Sequence, residues 1–329
     1  MTGKKILVVS DSLRDLPPAV AALDACGHEV AYVDDLVPFR NLPAAQLAAA
    51  DAIVMGRVMN TDAGALALAR AARVIALHTS GSDNVDLAAA TARGITVTNV
   101  KGVNAEQCAE FSIGLMLAVT RQILRGDRAI RAGRWAADTQ SSLDLYGATL
   151  SVIGLGMIGK AAVRRAAAFG MRILCHTRTP DDDFARQYGV TYVGQDEALA
   201  RGDVVSLYAS LTPDTRHMIG ARELSLMQRH AYLINIARGE LVDEVALHRA
   251  LVDGTIAGAG LDVFETEPLT ASPLFDLDTV VVTPHQAGLA QSAKVEAAVR
   301  AVNNALCALE GRCPPDAINP SAFMTGTPR

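Results

Sequence analysis

The chain has 329 residues, half of them apolar and 20% charged, with 30 Lys and Arg against 35 Asp and Glu for a net charge of −5. At roughly 150 residues per domain this amounts to about two domains with ample material for a core, and it speaks against a disordered chain. Mild acidity without basic blocks argues against nucleic acid as a partner, and the longest apolar run, Ile113 to Val119, falls far short of the ~20 residues of a membrane span.

Short β-branched runs alternate with Ala-rich stretches. Lys5–Val9 reads as a buried strand, its apolar core too brief for a signal peptide. Pro17–Ala25 reads as a helix ended by Gly27, and His28–Val33, Ala52–Met55, Val74–Leu77 and Ile95–Asn99 as further strands. Such alternation implies a parallel sheet covered by helices on both faces. At Asn104 the pattern changes. Asn104 stands in an N-cap position with Glu106 and Gln107 in the first turn, and one long helix is expected to run to about Ala132, stop near Gly133 and precede the only tryptophan, Trp135. After a polar stretch, Asp138–Leu145, the alternation resumes at Thr149–Gly154. It continues with strands at Arg172–His176, Thr191–Val193, Val204–Tyr208, Tyr232–Ile236, Ala257–Asp262 and Thr279–Thr283. A last helix, Ala290–Glu310, leads into an irregular Pro-rich tail. The Asn104 and Ala290 helices are natural crossings between two α/β lobes, the first lobe then being discontinuous. The cysteines Cys26, Cys108, Cys175, Cys307 and Cys313 show no C-x-x-C spacing, which speaks against a zinc site and fits reduced thiols in a cytoplasm.

Gly154-Leu-Gly156-Met-Ile-Gly159 fits G-x-G-x-x-G between an apolar strand, Leu150–Ile153, and a helix, Lys160–Phe169. In that setting Gly154 permits the tight turn, Gly156 lets backbone approach a pyrophosphate, and Gly159 lets helix and strand pack closely. Free N–H groups of the helix N-terminus, with Met157 and Ile158 in its first turn, then face the phosphates. An NAD site usually has an acid at the end of the next strand. Here Cys175-His-Thr177-Arg178-Thr179-Pro ends it, and Asp181–Asp183 follow as a solvated loop. Thr177, Arg178 and Thr179 are instead suited to a 2′-phosphate, with the guanidinium forked onto its oxygens; a solvated surface arginine is the alternative.

Three late strands end in polar groups: Arg238 after Leu233–Ile236, Asp262, Glu265 and Glu267 after Gly260, and His285 after Val280–Thr283. Hydride delivery to a ketone builds negative charge on its oxygen, which a histidine can neutralise. A nearby carboxylate favours the protonated imidazole, and an arginine grips a substrate carboxylate bidentately. Each residue alone also fits an ion pair or a turn cap; the three together beside a dinucleotide loop form a chemical set. The other histidines, His28, His78, His176, His217, His230 and His248, lack such a setting and read as surface or structural.

With these residues in place the sequence resembles the D-isomer-specific 2-hydroxyacid dehydrogenase family, which includes phosphoglycerate dehydrogenases, glyoxylate/hydroxypyruvate reductases and NAD-type formate dehydrogenases. The resemblance covers about residues 50–320. It rests on Ser80-Gly-Ser-Asp-Asn-Val-Asp86, Gly94–Asn99, Asn104 to Glu110, the Gly154 loop, Leu211–Thr215, Asn235–Gly239, Leu261–Pro268 and Thr283–His285. It implies two Rossmann-like lobes: a split flavodoxin-like substrate domain, residues 1–102 with 287–329, and a continuous dinucleotide-binding domain, residues 103–286, through which homodimers form. Carried over residue by residue, Arg238 resembles the substrate-gripping arginine, Glu267 the carboxylate paired with the histidine, and His285 the proton donor. Asp262 resembles the residue that meets the nicotinamide amide. Gly81 and Ser82 resemble the loop that receives the substrate carboxylate, and Arg57 a substrate-side arginine of some members. The cofactor side extends to Ser210, Thr215 and Ile236. Tyr208-Ala-Ser210 departs from a stretch that often reads His-x-Pro, and the missing acid resembles the NADP-using branch.

The resulting expectation is a cytoplasmic NAD(P)-dependent reductase, NADP favoured over NAD, of a small 2-oxo acid such as glyoxylate, hydroxypyruvate or a phosphorylated analogue, giving a D-2-hydroxy acid. No metal, membrane or nucleic-acid partner is expected. The rival is a dinucleotide-sensing, corepressor-like binding protein on the same fold. An amino-acid dehydrogenase with a related core is disfavoured by the Arg, Glu, His order.

Overall fold

β-branched and aliphatic runs of three to five residues form two all-parallel sheets. The structure, a computed structural model, describes residues 3–10, 12–34, 38–56, 61–135 and 142–325. The chain divides into two units, residues 1–104 with 290–329, and residues 105–289.

The first unit contains β1 (Lys5–Val9), β2 (Glu29–Val33), β3 (Ala52–Met55), β4 (Val74–Leu77) and β5 (Thr96–Thr98), ordered β2-β1-β3-β4-β5. β3 and β4 are buried along their whole length, as a parallel strand covered on both faces must be. One face packs Leu7, Ile53, Ile75 and Val97 with Phe39 and Leu47. The other packs Ile6, Val8, Val54 and Ala76 against the Gln291–Leu309 helix, whose small residues Ala297, Ala298, Ala301 and Ala305 let it lie close. This is the flavodoxin-like order, with a crevice where β1 and β3 diverge.

The second unit contains β6 (Thr149–Ile153), β7 (Arg172–His176), β8 (Val190–Tyr192), β9 (Val204–Leu207), β10 (Tyr232–Asn235), β11 (Gly258–Leu261) and β12 (Val280–Val282), ordered β12-β11-β10-β9-β6-β7-β8. Order reverses between β6 and β9, so ligands are expected at the carboxyl ends of those strands. The Ala105–Thr120 helix covers one face with Ile113, Leu115, Met116 and Val119. Leu199, Leu224 and Leu247 cover the other. Among the described residues no helix is long and apolar enough to cross a membrane.

Three features differ from the sequence expectation. The long helix after Asn104 is two helices, Ala105–Thr120 and Ile123–Arg131, separated by Gln122 at φ +52°. Thr120 Oγ1 donates to the Met116 carbonyl at 2.8 Å, a back-bond that bends helices. Among the described residues no side chain of the second helix is buried, so no core packing holds it in line with the first. Asn104 spends its Oδ1 on the Ser80 hydroxyl at 2.8 Å. The tail is ordered by Asn319, whose Oδ1 accepts the Val97 amide at 2.7 Å and whose Nδ2 donates to the Ile95 carbonyl at 3.0 Å. A short helix, Pro320–Thr325, follows.

Candidate active site

The glycine loop joins the end of β6 to the Met157–Ala168 helix. Gly154 has φ +100°, and a Cβ there would sit 2.8 Å from the Ala209 amide nitrogen. A Cβ on Gly159 would lie 2.3 Å from the Gly154 carbonyl oxygen. The loop is thus pressed between its own turn and the chain leaving β9. Gly156, the helix N-cap, is exposed and a Cβ on it would meet nothing within 4 Å. The space before the helix N-terminus is open, as close approach of a pyrophosphate requires. Met157 is exposed and Ile158 half-buried in the first turn. Below the loop Tyr208 shares its hydroxyl hydrogen bond with Ser112 Oγ at 2.6 Å, and burial raises its pKa.

At the end of β7, Thr177 Oγ1 accepts the Leu155 amide of the glycine loop and the Thr179 amide, both at 3.4 Å. Arg178 and Thr179 are exposed. Asp181 does more than solvate its loop. It pairs with Lys160 and caps the Asp182–Tyr188 helix through the Phe184 amide. The Lys160 hydrogen bond, then that amide, hold its carboxyl below the ordinary range. The acid nearest the strand end is therefore already engaged by protein groups. Across the switch point Thr215 Oγ1 donates to the Ser210 carbonyl at 2.8 Å and accepts the Thr212 amide at 2.8 Å, closing the turn that exposes Ser210.

The end of β10 is pinned by Asn235, which is buried. Its Oδ1 accepts the Ala237 amide at 3.0 Å and its Nδ2 donates to the Arg238 carbonyl at 2.8 Å. This fixes the turn carrying Arg238, and Ile236 is buried beneath it. Arg238 Nη1 donates to the Ala237 carbonyl at 2.7 Å. The end of β11 is Asp262, fully buried. Its Oδ1 accepts the Gln286 amide at 2.9 Å and the Thr283 hydroxyl at 2.5 Å, and its Oδ2 the Ala287 amide at 2.8 Å. One side chain thus organises the whole turn that carries His285, whose amide donates to the Asp262 carbonyl at 2.7 Å.

His285 has φ +50°, a conformation that costs a non-glycine residue free energy and gathers at functional sites. Its Nδ1 donates to Glu267 Oε2 at 2.6 Å, leaving Nε2 as the nitrogen able to exchange a proton. Glu267 Oε1 accepts the Phe264 amide at 3.0 Å. Burial pushes the Glu267 carboxyl up, but the His285 hydrogen bond and charge, the Phe264 amide and the Arg238 charge outweigh it, and its pKa lies below the usual range. Glu267 therefore stays ionised and holds the imidazole in one orientation.

In the first unit the loop after β4 presents Gly81 and Ser82. Thr79 Oγ1 donates to the Gly81 carbonyl at 2.9 Å, and the buried Asn99 Nδ2 donates to the Ser80 carbonyl at 2.8 Å. Among the described residues the Gly81 and Ser82 amides have no acceptor, so two donors remain for an anion. Arg57 lies outside the described residues.

Sequence reasoning missed three parts of this region. Asn235 looks like one more polar residue in a strand, although Asn-x-x-Arg at a strand end signals a side chain folding back on its turn. Asp262 organises a turn that is still to come in the chain. His217, grouped with the surface histidines, donates from Nε2 to Glu265 Oε2 at 3.1 Å.

Residues 113–287 match the family model described as the D-isomer specific 2-hydroxyacid dehydrogenase, NAD binding domain. A glyoxylate reductase of Korarchaeum cryptofilum is 38% identical over 302 residues, 90% of this chain and 91% of that one. A D-3-phosphoglycerate dehydrogenase of Mycobacterium bovis is 38% identical over 314 residues, covering 95% of this chain and 58% of that longer protein. The crystal structure of a glyoxylate reductase from Paecilomyes thermophila superposes with a TM-score of 0.86 at 31% identity, covering 97% of this chain and 99% of that one. The chain belongs to the D-isomer specific 2-hydroxyacid dehydrogenase family and is an oxidoreductase.

Proposed function

We propose that the protein is an NAD(P)-dependent reductase of a small 2-oxo acid, glyoxylate or hydroxypyruvate or a phosphorylated analogue, giving the D-2-hydroxy acid. The observation that carries this reading is the 2.6 Å hydrogen bond from His285 Nδ1 to Glu267 Oε2, beside a turn that fixes Arg238. The continuous unit is the dinucleotide-binding domain and the split unit the substrate domain. The open approach at Gly156 and the free N–H groups of the following helix fit a pyrophosphate. The dinucleotide supplies a hydride.

This chain's own groups do the rest. Arg238 grips the substrate carboxylate and polarises the carbonyl. On the split unit the amides of Gly81 and Ser82 are free to donate to an anionic substrate group, and Arg57 is assigned to the substrate side. His285 Nε2 gives its proton to the carbonyl oxygen as negative charge develops there. Glu267 holds the imidazole through Nδ1, so that Nε2 is the nitrogen turned to the substrate. Asp262 holds the turn, and its position at the strand end suits the nicotinamide side. Ser210, Thr215 and Ile236 border the adenine and ribose side. Arg178, exposed and without an ion pair among the described residues, favours NADP through its 2′-phosphate.

The test is direct. Purified protein is offered NADPH or NADH with glyoxylate, hydroxypyruvate and 3-phosphohydroxypyruvate, and nicotinamide absorbance is followed. His285→Gln is expected to lower turnover by about 10²–10⁴-fold while dinucleotide binding is retained. Near-normal kcat in that variant would remove His285 from the reaction. Dinucleotide binding with no turnover of any 2-oxo acid would favour the sensing, corepressor-like reading.

The same unit supports a homodimer. The Ile123–Arg131 helix buries nothing, and Ile123, Leu124, Ile130 and Trp135 are exposed, Trp135 at 90%. Beside it runs a groove of about 330 Å³ lined by Leu124, Leu274, Phe275 and Val281. Apolar surface gathered in this way suits a second copy of the chain.

A further inference from the structure

We propose that His217 and Glu265 are positioning residues for the Glu267–His285 pair, acting through the segment Phe264–Glu267; this rests on the reaction assigned above. Among the described residues only three non-glycine positions have left-handed backbone: Gln122, His217 and His285. Two of the three are histidines, and each holds one glutamate of the same four-residue segment. His217 Nε2 donates to Glu265 Oε2 at 3.1 Å, and His285 Nδ1 to Glu267 Oε2 at 2.6 Å.

Glu265 is clamped on every side. Its Oε1 accepts the Glu244 amide at 3.0 Å, and its own amide donates to Glu244 Oε1 at 2.5 Å. Arg216 Nη2 lies 3.9 Å from Oε2. His217 is fixed in turn, because its amide donates to the Glu240 carbonyl at 2.8 Å. Two residues on, Glu267 has one oxygen on the Phe264 amide and the other on the imidazole. Only Thr266 separates Glu265 from Glu267, so slack at Glu265 is passed along two peptide units to the Glu267 carboxylate. His217 and Glu265 are 38% and 26% exposed, and ion pairs at such exposure contribute little to stability. A strained histidine spent on so weak a pair makes sense where the pair sets geometry.

The variants are His217→Leu, His217→Gln, Glu265→Leu and the double His217→Leu/Glu265→Leu. Readouts are kcat and KM, dinucleotide Kd, the thermal midpoint, and the NMR signals of the His285 ring. His217→Leu is expected to lower kcat about tenfold, since misplacement by ~1 Å can cost up to about 10²-fold. Dinucleotide Kd and the thermal midpoint should hardly move, and the His285 ring signals should shift. His217→Gln, which retains an N–H donor, should recover most of kcat, and the double variant should be no worse than the poorer single one. Unchanged His285 ring signals in His217→Leu overturn the proposal, as does a kcat loss that follows thermal destabilisation and is not rescued by Gln. A wild type that reduces no 2-oxo acid overturns the reaction assignment instead, and the ring measurement still decides this one.

Discussion

Gly239 lies so close to Phe264 that a Cβ on it would sit 1.8 Å from the Phe264 carbonyl carbon and 2.1 Å from its oxygen. The glycine follows Arg238, and Phe264 opens the segment that ends at Glu267. The arginine turn and the glutamate segment are thus in backbone contact, and neither can shift alone. Gly239→Ala is expected to destabilise the protein by about 1–3 kcal/mol, the usual cost of overpacking, and to lower kcat/KM for the oxo acid more than dinucleotide binding. Urea unfolding and steady-state kinetics measure the two effects. An alanine variant with unchanged kcat/KM would mean that the arginine is not held by this contact.

Cofactor preference is predicted from the end of β7. With Asp181 engaged by Lys160 and the Phe184 amide, no acid there repels a 2′-phosphate, and Arg178 can add charge-assisted hydrogen bonds worth ~1.5–3 kcal/mol. That corresponds to a preference for NADPH of roughly 10- to 100-fold in kcat/KM. Arg178→Ala should erode kcat/KM for NADPH while sparing NADH. Equal efficiencies with both dinucleotides, or equal losses in the variant, would count against phosphate recognition at this residue.

The tail that follows the Gln291–Leu309 helix is anchored by charge. Asp316 receives Arg300 Nε at 2.8 Å and Nη2 at 2.5 Å, with Asn304 Nδ2 at 2.9 Å. The Arg300 hydrogen bonds, working against burial and joined by Asn304, hold its carboxyl below the usual aspartate range. A lowered folded pKa means the contribution is whole above the unfolded value near 3.9 and is lost as pH falls through the folded one. Asp316→Asn should cost about 1–2 kcal/mol at pH 7. The gap between wild type and variant in urea midpoint should close in acid. A gap of unchanged size throughout the acid range would assign the cost to packing.

Oligomeric state is predicted from the Ile123–Arg131 helix. Analytical ultracentrifugation of the wild type should show a dimer, and Ile130→Glu, which places a charge on the exposed apolar face, should shift it to monomer at micromolar concentration. A wild type that stays monomeric there would mean this surface has no self-partner.

Much of this architecture is legible in residue order because buried parallel strands write themselves as β-branched runs, and a glycine loop between strand and helix has few other uses. Arg238, Glu267 and His285 are each legible past the end of a strand, and Gly154, Gly156 and Gly159 where a strand turns into a helix. What stayed hidden depends on partners distant in sequence. The break at Gln122 goes with a second helix none of whose described side chains is buried. The order of the tail follows from Asn319 reaching Val97, 222 residues away. His217 and Glu265 look like ordinary surface residues until the fold sets them 3.1 Å apart.

The division of the chain also sets an order of events during synthesis. Residues 105–289 carry all seven strands of their sheet in one continuous stretch, so that unit can fold as soon as it has emerged. The strands of residues 5–98 are made earlier but cannot finish, because Ile6, Val8, Val54 and Ala76 are covered by alanines of the Gln291–Leu309 helix. Their apolar face stays open while nearly two hundred further residues are added, a period in which exposed strand surface invites aggregation. Residues 105–289 can thus close their core while the sheet of residues 5–98 still lacks the helix that covers one face.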